Sequence, residues 1–254
     1  MNQSCKKLII IPLFCAFFSI NTFASKLAET HNIEQKNESY SVGLGATRII
    51  YNSSPLGAVV SVENPNTYPV LVKSKVYLED KKTAAPFVVT PPLFLLEGQE
   101  QSRIRIVRKG NSPVTDKETL NWLCVEGIPP EADDVWAQGS QSAAARVATL
   151  NVVMKVNRCV KLLDRPETIK TTPDDLAGSL EWKQVGNKLK VQNPSPFYMT
   201  LGTLKVNGKE IKDVNYIPPF SSKEFSLSIN KVTNIDWTII GDLGGESRIY
   251  STTI

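Results

Sequence analysis

A single imidazole limits what chemistry this chain can do. The one histidine among 254 residues is His31, so a metal site built from several histidines is excluded. A Ser-His-Asp or Cys-His centre would have to use His31, which sits in a polar stretch far in sequence from any serine or acid in a recognisable motif. No G-x-S-x-G, H-E-x-x-H or Walker pattern occurs. Two-carboxylate hydrolysis stays open on composition alone, because 25 acids are present. The chain is read as non-enzymatic, with no cofactor and no metal.

The cysteines carry more information. Four are present, and Cys5 and Cys15 fall in a segment expected to be lost. Lys6 and Lys7 precede an apolar run over residues 8–20, and Thr22-Phe23-Ala24 offers a small-residue cleavage site, the three-part pattern of a secretory signal. Pro12 and Ser19 interrupt the apolar run, which is also short for a membrane span. Removing residues 1–24 takes two lysines and no acid, so the formal net charge falls from +4 to +2. Cys124 and Cys159 remain. In an oxidising compartment an even pair defaults to one disulfide, closing a loop of about 36 residues at about 3–4 kcal/mol. Two separate buried thiols are the alternative. One remote histidine does not complete a tetrahedral metal set with two cysteines.

The elements that position these residues read as strands. Ser102-Arg103-Ile104-Arg105-Ile106-Val107-Arg108 alternates Arg out and Ile in, the period-2 signal of a half-buried strand. Residues 58–62, 70–78, 120–125 and 147–156 extend the set. Arg165-Pro166 and the polar residues 167–177 break it. A second set follows, with turns at Gly186-Asn187 and Asn207-Gly208, the latter a strong hairpin signal. The expected fold is all-β: two immunoglobulin-like β-sandwich domains in an L-shaped tandem, residues 40–165 and 166–254. A single barrel is the alternative. A signal peptide (1–24) and a polar N-terminal arm (25–39) precede them. Residues 127–145, between the cysteines and rich in Pro, Gly, Ser and Ala, read as a long loop.

After that loop, Ala148, Leu150, Val152, Met154 and Val156 fall on one face of a strand. Such a row is either an ordinary core face or an edge strand that completes another protein by strand addition. The pattern alone does not choose.

Cys159-Val160-Lys161-Leu162-Leu163-Asp164-Arg165-Pro166 resembles the signature of periplasmic pilus-assembly chaperones, the PapD-like family. Ala46-Thr47-Arg48-Ile49-Ile50-Tyr51, Glu63-Asn64-Pro65, Thr90-Pro91-Pro92, Leu96-Glu97-Gly98, Gly127-Ile128-Pro129-Pro130 and Ile240-Gly241-Asp242-Leu243-Gly244-Gly245 match in the same order. The cysteine pair, long loop and N-terminal arm resemble the subclass with a long F–G loop, which serves thin fibres and capsule-like adhesins. The resemblance implies a chaperone of the chaperone–usher pathway in the Gram-negative periplasm. It would bind fimbrial or fibre subunits by donor-strand complementation and pass them to an outer-membrane usher. Ala148, Leu150, Val152, Met154 and Val156 would be the donor side chains, and the N-terminal arm would add a strand. Each of the four larger donors would contribute about 1.5–3 kcal/mol on burial, before ordering costs. Arg48 and Lys161 match the two cations that hold the subunit's C-terminal carboxylate.

Arg165 and Asp242 match two members of the family's interdomain salt bridge. The third position, Glu in many relatives, is Gly127 here, and the adjacent Glu126 points to the opposite strand face, leaving the network a pair. Fibre subunits and an usher are the expected partners, with self-association of the free chaperone also open. No nucleic acid is expected, given the near-neutral charge and the lack of a basic-aromatic stripe, and no membrane insertion of the mature chain. An extracellular two-sandwich adhesin is the runner-up, but its aromatic candidates, Trp136 and Tyr198, are scattered.

Overall fold

The computed structural model describes residues 34–52, 56–110, 114–129, 149–229 and 231–254. Residues 1–24, His31 and Ala148, with most of the loop at 127–145, lie outside the described residues.

The first half contains β1 (Glu34–Tyr40), β2 (Gly43–Leu44), β3 (Arg48–Tyr51), β4 (Ala58–Glu63), β5 (Val70–Leu78), β6 (Phe87–Thr90), β7 (Leu93–Leu96), β8 (Gln101–Arg108), β9 (Thr119–Ile128), β10 (Thr149–Lys155) and β11 (Asn157–Asp164). One sheet runs β2-β4-β8-β6 and the other β3-β11-β9-β5-β7. Period-2 patterning explains how they face each other. Ile104 and Ile106 are fully buried between outward Arg103 and Arg105, and Val70, Val72 and Val76 are buried along β5. These residues pack with Val62, Phe87, Leu123 and Leu162 into one core.

The polar break after Pro166 contains a single short helix, α1 (Pro173–Leu176). A second sandwich follows: β12 (Glu181–Val185), β13 (Lys188–Asn193), β14 (Met199–Val206), β15 (Lys209–Glu210), β16 (Tyr216–Ile217), β17 (Ser221–Ser226), β18 (Asn234–Ile239) and β19 (Tyr250–Thr253). Sheet β12-β13-β17 faces β15-β14-β18-β19, with β16 paired to β14, around a separate core centred on Phe197, Met199, Leu204 and Trp237. Asn207 and Gly208 both have positive φ, 50° and 78°, the backbone a two-residue hairpin demands.

Two connections set where the cations and the apolar row lie. β11 pairs with β9 antiparallel and with β3 in parallel, so the last strand of the first sandwich lies beside one of its earliest. β10 belongs to neither five-stranded sheet. It pairs in parallel with β1, from Glu34 opposite Thr149 to Tyr40 opposite Lys155. Residues 34–39 of the polar arm are therefore strand.

Candidate functional site

The parallel pairing of β3 and β11 puts Arg48 directly opposite Lys161. Both side chains reach the second sandwich. Arg48 Nη1 donates to the Ile240 carbonyl at 2.8 Å, and Lys161 Nζ donates to Thr200 Oγ1 at 3.0 Å. Arg48 Nε is buried without a hydrogen-bond partner among the described residues. Burial pushes the Arg48 pKa down, against the pull of Asp242 and Glu118. Burial, then Arg48, Lys81 and Lys223, push Lys161 down to about 8. The nearby carboxylates are already engaged: Asp242 and Glu118 by Arg165, and Glu79 by two tyrosines. Two adjacent cations at an interdomain cleft thus keep a surplus of positive charge and at least one spare donor. A carboxylate fits that chemistry, since arginine offers a planar fork and lysine a point charge.

β10 runs into β11 through Val156, so the apolar row and Lys161 lie along one continuous stretch of chain. Met154 is 50% exposed, and Val152 and Val156 are half-buried. None of the three belongs to the core of the first sandwich. The β10 backbone includes Leu150, whose side chain lies outside the described residues, as does all of Ala148. Lys155, of opposite orientation to Met154, pairs with Glu126 at 2.5 Å.

The domain interface is held by three charges, not two. Arg165 makes a bidentate pair with Asp242, both bonds 2.7 Å, while its Nε donates to Glu118 Oε1 at 2.7 Å. Glu118 is 1% exposed, and its other oxygen accepts the Tyr198 backbone N–H at 2.9 Å. Burial raises the Glu118 pKa, opposed by Arg165 and that N–H. Burial works to lower Arg165, but its bonds to Asp242 and Glu118 outweigh it and leave the pKa raised. Glu126, the acid weighed from sequence, faces Lys155 instead. Gly127 has its own reason to lack a side chain: a Cβ there would lie 2.1 Å from the Tyr40 carbonyl oxygen at the end of β1.

Glu118 was within reach of the sequence. Cys124 and Cys159 are bonded and directly opposite across β9 and β11. An antiparallel ladder counted from that pair places Asp164 opposite Thr119, and one step further brings Arg165 to Glu118. The disulfide itself was the missing ruler. Among the described residues no cluster of three His, Cys, Asp or Glu is arranged to hold a metal, and no helix is long and apolar enough to cross a membrane.

Known proteins converge on this geometry. Residues 41–170 match the family described as pili and flagellar-assembly chaperone, PapD N-terminal domain, and residues 175–251 match the pili assembly chaperone PapD, C-terminal domain. The Escherichia coli chaperone protein AggD is 41% identical over 244 residues, covering 96% of each chain. The structure of the E. coli chaperone DraB superposes with a TM-score of 0.76 at 46% identity, covering 87% of this chain and 100% of its own. The Salmonella enterica chaperone SafB, solved in complex with the SafA pilin, gives 0.77 at 43%, with the same coverage. This chain belongs to the PapD-like family of pilus-assembly chaperones, and these matches are consistent with the subclass that has a long F–G loop.

Proposed function

We propose that the chain is a non-enzymatic chaperone of the chaperone–usher pathway, exported to the Gram-negative periplasm by residues 1–24. There it binds fimbrial or fibre subunits, lends β10 as a missing strand, anchors the subunit's C-terminal carboxylate on Arg48 and Lys161, and delivers the subunit to an outer-membrane usher. Residues 40–165 and 166–254 are its two immunoglobulin-like domains, preceded by the arm at 25–39.

The observation that carries this reading is a pair of under-neutralised cations of which one, Lys161, lies on the same run of chain as Val152, Met154 and Val156, side chains that the core of the first sandwich does not use. A chain end held at Lys161 starts edge pairing at a fixed point, five residues from Val156. The anchor therefore sets the register in which Leu150, Val152, Met154 and Val156 alternate into the subunit, and a slip of one residue would turn the row away. The complex of SafB with a pilin supports a subunit as the occupant.

Arg48→Ala and Lys161→Ala, expressed with a fibre subunit in the periplasm, are expected to lose subunit copurification while melting within a few degrees of the wild type. Full capture by both variants overturns the anchor.

A further inference from the structure

A lysine ammonium on a flexible stem needs something to hold it where its ligand will arrive. Lys161 has two such contacts on the second sandwich: the Thr200 hydroxyl at 3.0 Å and the face of the Tyr216 ring, whose centroid is 5.1 Å from Nζ. These two residues are not independent. They are directly paired across β14 and β16, so one short ladder presents both to Lys161.

β16 is only two residues long and would fix an aromatic side chain poorly alone. The first sandwich supplies the restraint. Glu79, just beyond the end of β5, accepts from the Tyr216 hydroxyl at 2.8 Å and from the Tyr198 hydroxyl at 3.3 Å. The two rings meet edge-on, 5.5 Å apart. Burial, then the bond to Glu79, raises the Tyr216 pKa to about 12, so the phenol remains a donor at neutral pH. The turn carrying Glu79 is itself braced: Asp80 accepts the N–H groups of Lys82 and Thr83 and the Thr83 hydroxyl. Glu79 thereby directs its two carboxylate oxygens to the two phenols. Lys223 also lies over the ring, 6.0 Å from its centroid, and donates to the Tyr216 carbonyl at 3.3 Å. With Arg48 and Lys81 it completes the charged surroundings of Lys161.

We propose that Tyr216, clamped across the domain interface by Glu79, is a positioning residue of the carboxylate anchor, its ring holding the Lys161 ammonium in place and so sharpening the preference for a free chain end over a blocked one. This rests on the reading of Arg48 and Lys161 as that anchor.

The test titrates the mature protein with N-acetylphenylalanine and, separately, with its amide, following the side-chain NMR signals of Lys161 and Arg48. The ratio of the two affinities is the readout. The wild type is expected to prefer the acid. Tyr216→Leu removes ring and hydroxyl and is expected to lower that ratio about five- to thirtyfold, the range of a partly desolvated cation–π contact. Tyr216→Phe keeps the ring and is expected to recover part of it. Exposed Glu79→Ala, which leaves both cores untouched, is expected to lower it about threefold. A purely structural role would lower the melting temperature and leave the ratio unchanged. An unchanged ratio in Tyr216→Leu and Glu79→Ala, with the wild type preferring the acid, overturns this assignment alone. A wild type with no preference overturns the anchor and this assignment together.

Discussion

At the residue scale, Lys161 as the proposed anchor is expected to tie affinity to pH. Its pKa in the free protein lies near 8, against an ordinary 10.5, because burial and three cations oppose its charge. Below pH 8 the lysine is protonated and ready for a carboxylate. Above it the ammonium is lost while Arg48 stays charged. Binding a carboxylate favours the protonated form, so subunit capture is expected to weaken by up to about fivefold between pH 8 and pH 9 and to take up about half a proton at pH 8, measurable by calorimetry in buffers of different ionisation enthalpy. The free chaperone responds with the opposite sign. A lysine with a depressed folded-state pKa leaves the unfolded chain binding more protons between about 8 and 10.5. Its contribution to stability therefore rises with pH across that window. Affinity and stability moving together would show that another group governs capture. Neither the contact of Tyr216 with Lys161 nor the bond of Tyr216 to Glu79 was visible in the sequence. These residues meet only through the docking of one sandwich on the other, which no local pattern encodes.

At the element scale, β10 separates two jobs that look alike in a sequence. Alternation marks a strand with one apolar face, and it served well for β5 and β8, whose inward rows are buried. It says nothing about whose core that face fills. The half-exposed Met154, and a β10 that pairs only with β1 among the described residues, favour the proposed lent strand over a core strand. Changing Leu150 and Val152 together to Ser is thus expected to weaken subunit binding by about 3–6 kcal/mol, two buried aliphatic side chains, while shifting the free chaperone's melting temperature little. The reverse ranking would place the row in the chaperone's own core. The turn at Asn207-Gly208 was legible because its chemistry is local. The strand at Glu34–Tyr40 was expected only through the family resemblance, since its polar residues carry no alternation of their own; it pairs with β10.

At the scale of the whole molecule, the relation between the sandwiches depends on Arg165. Its side chain and that of Glu118 are almost wholly buried, and Asp242 is partly so. The Phe197 ring lies 4.9 Å beneath the guanidinium, and Gly244 approaches Thr47 so closely that a Cβ would fall 2.4 Å from its hydroxyl oxygen. Removing one partner from a buried charge network strands the others. Arg165→Ala is expected to cost about 3–5 kcal/mol, read by chemical denaturation, and to broaden the distribution of interdomain distances in X-ray scattering. Asp242→Ala, at the more open end, is expected to cost less. A scattering profile identical to the wild type for Arg165→Ala would show that other contacts set the angle.

The parallel pairing of β3 with β11 also bears on when the protein becomes competent. Arg48 comes near the start of the first sandwich and Lys161 near its end, and they become neighbours only when the final strand closes on the early one. The partners that steady them, Thr200 and Ile240, arrive later still, the last of them 192 residues beyond Arg48. Contacts so distant along a chain are gained only after the loop-closure entropy between them has been overcome. A partly emerged chain has not yet brought Arg48, Lys161, Thr200 and Ile240 together, and the proposed grip is expected to form only once both sandwiches have docked.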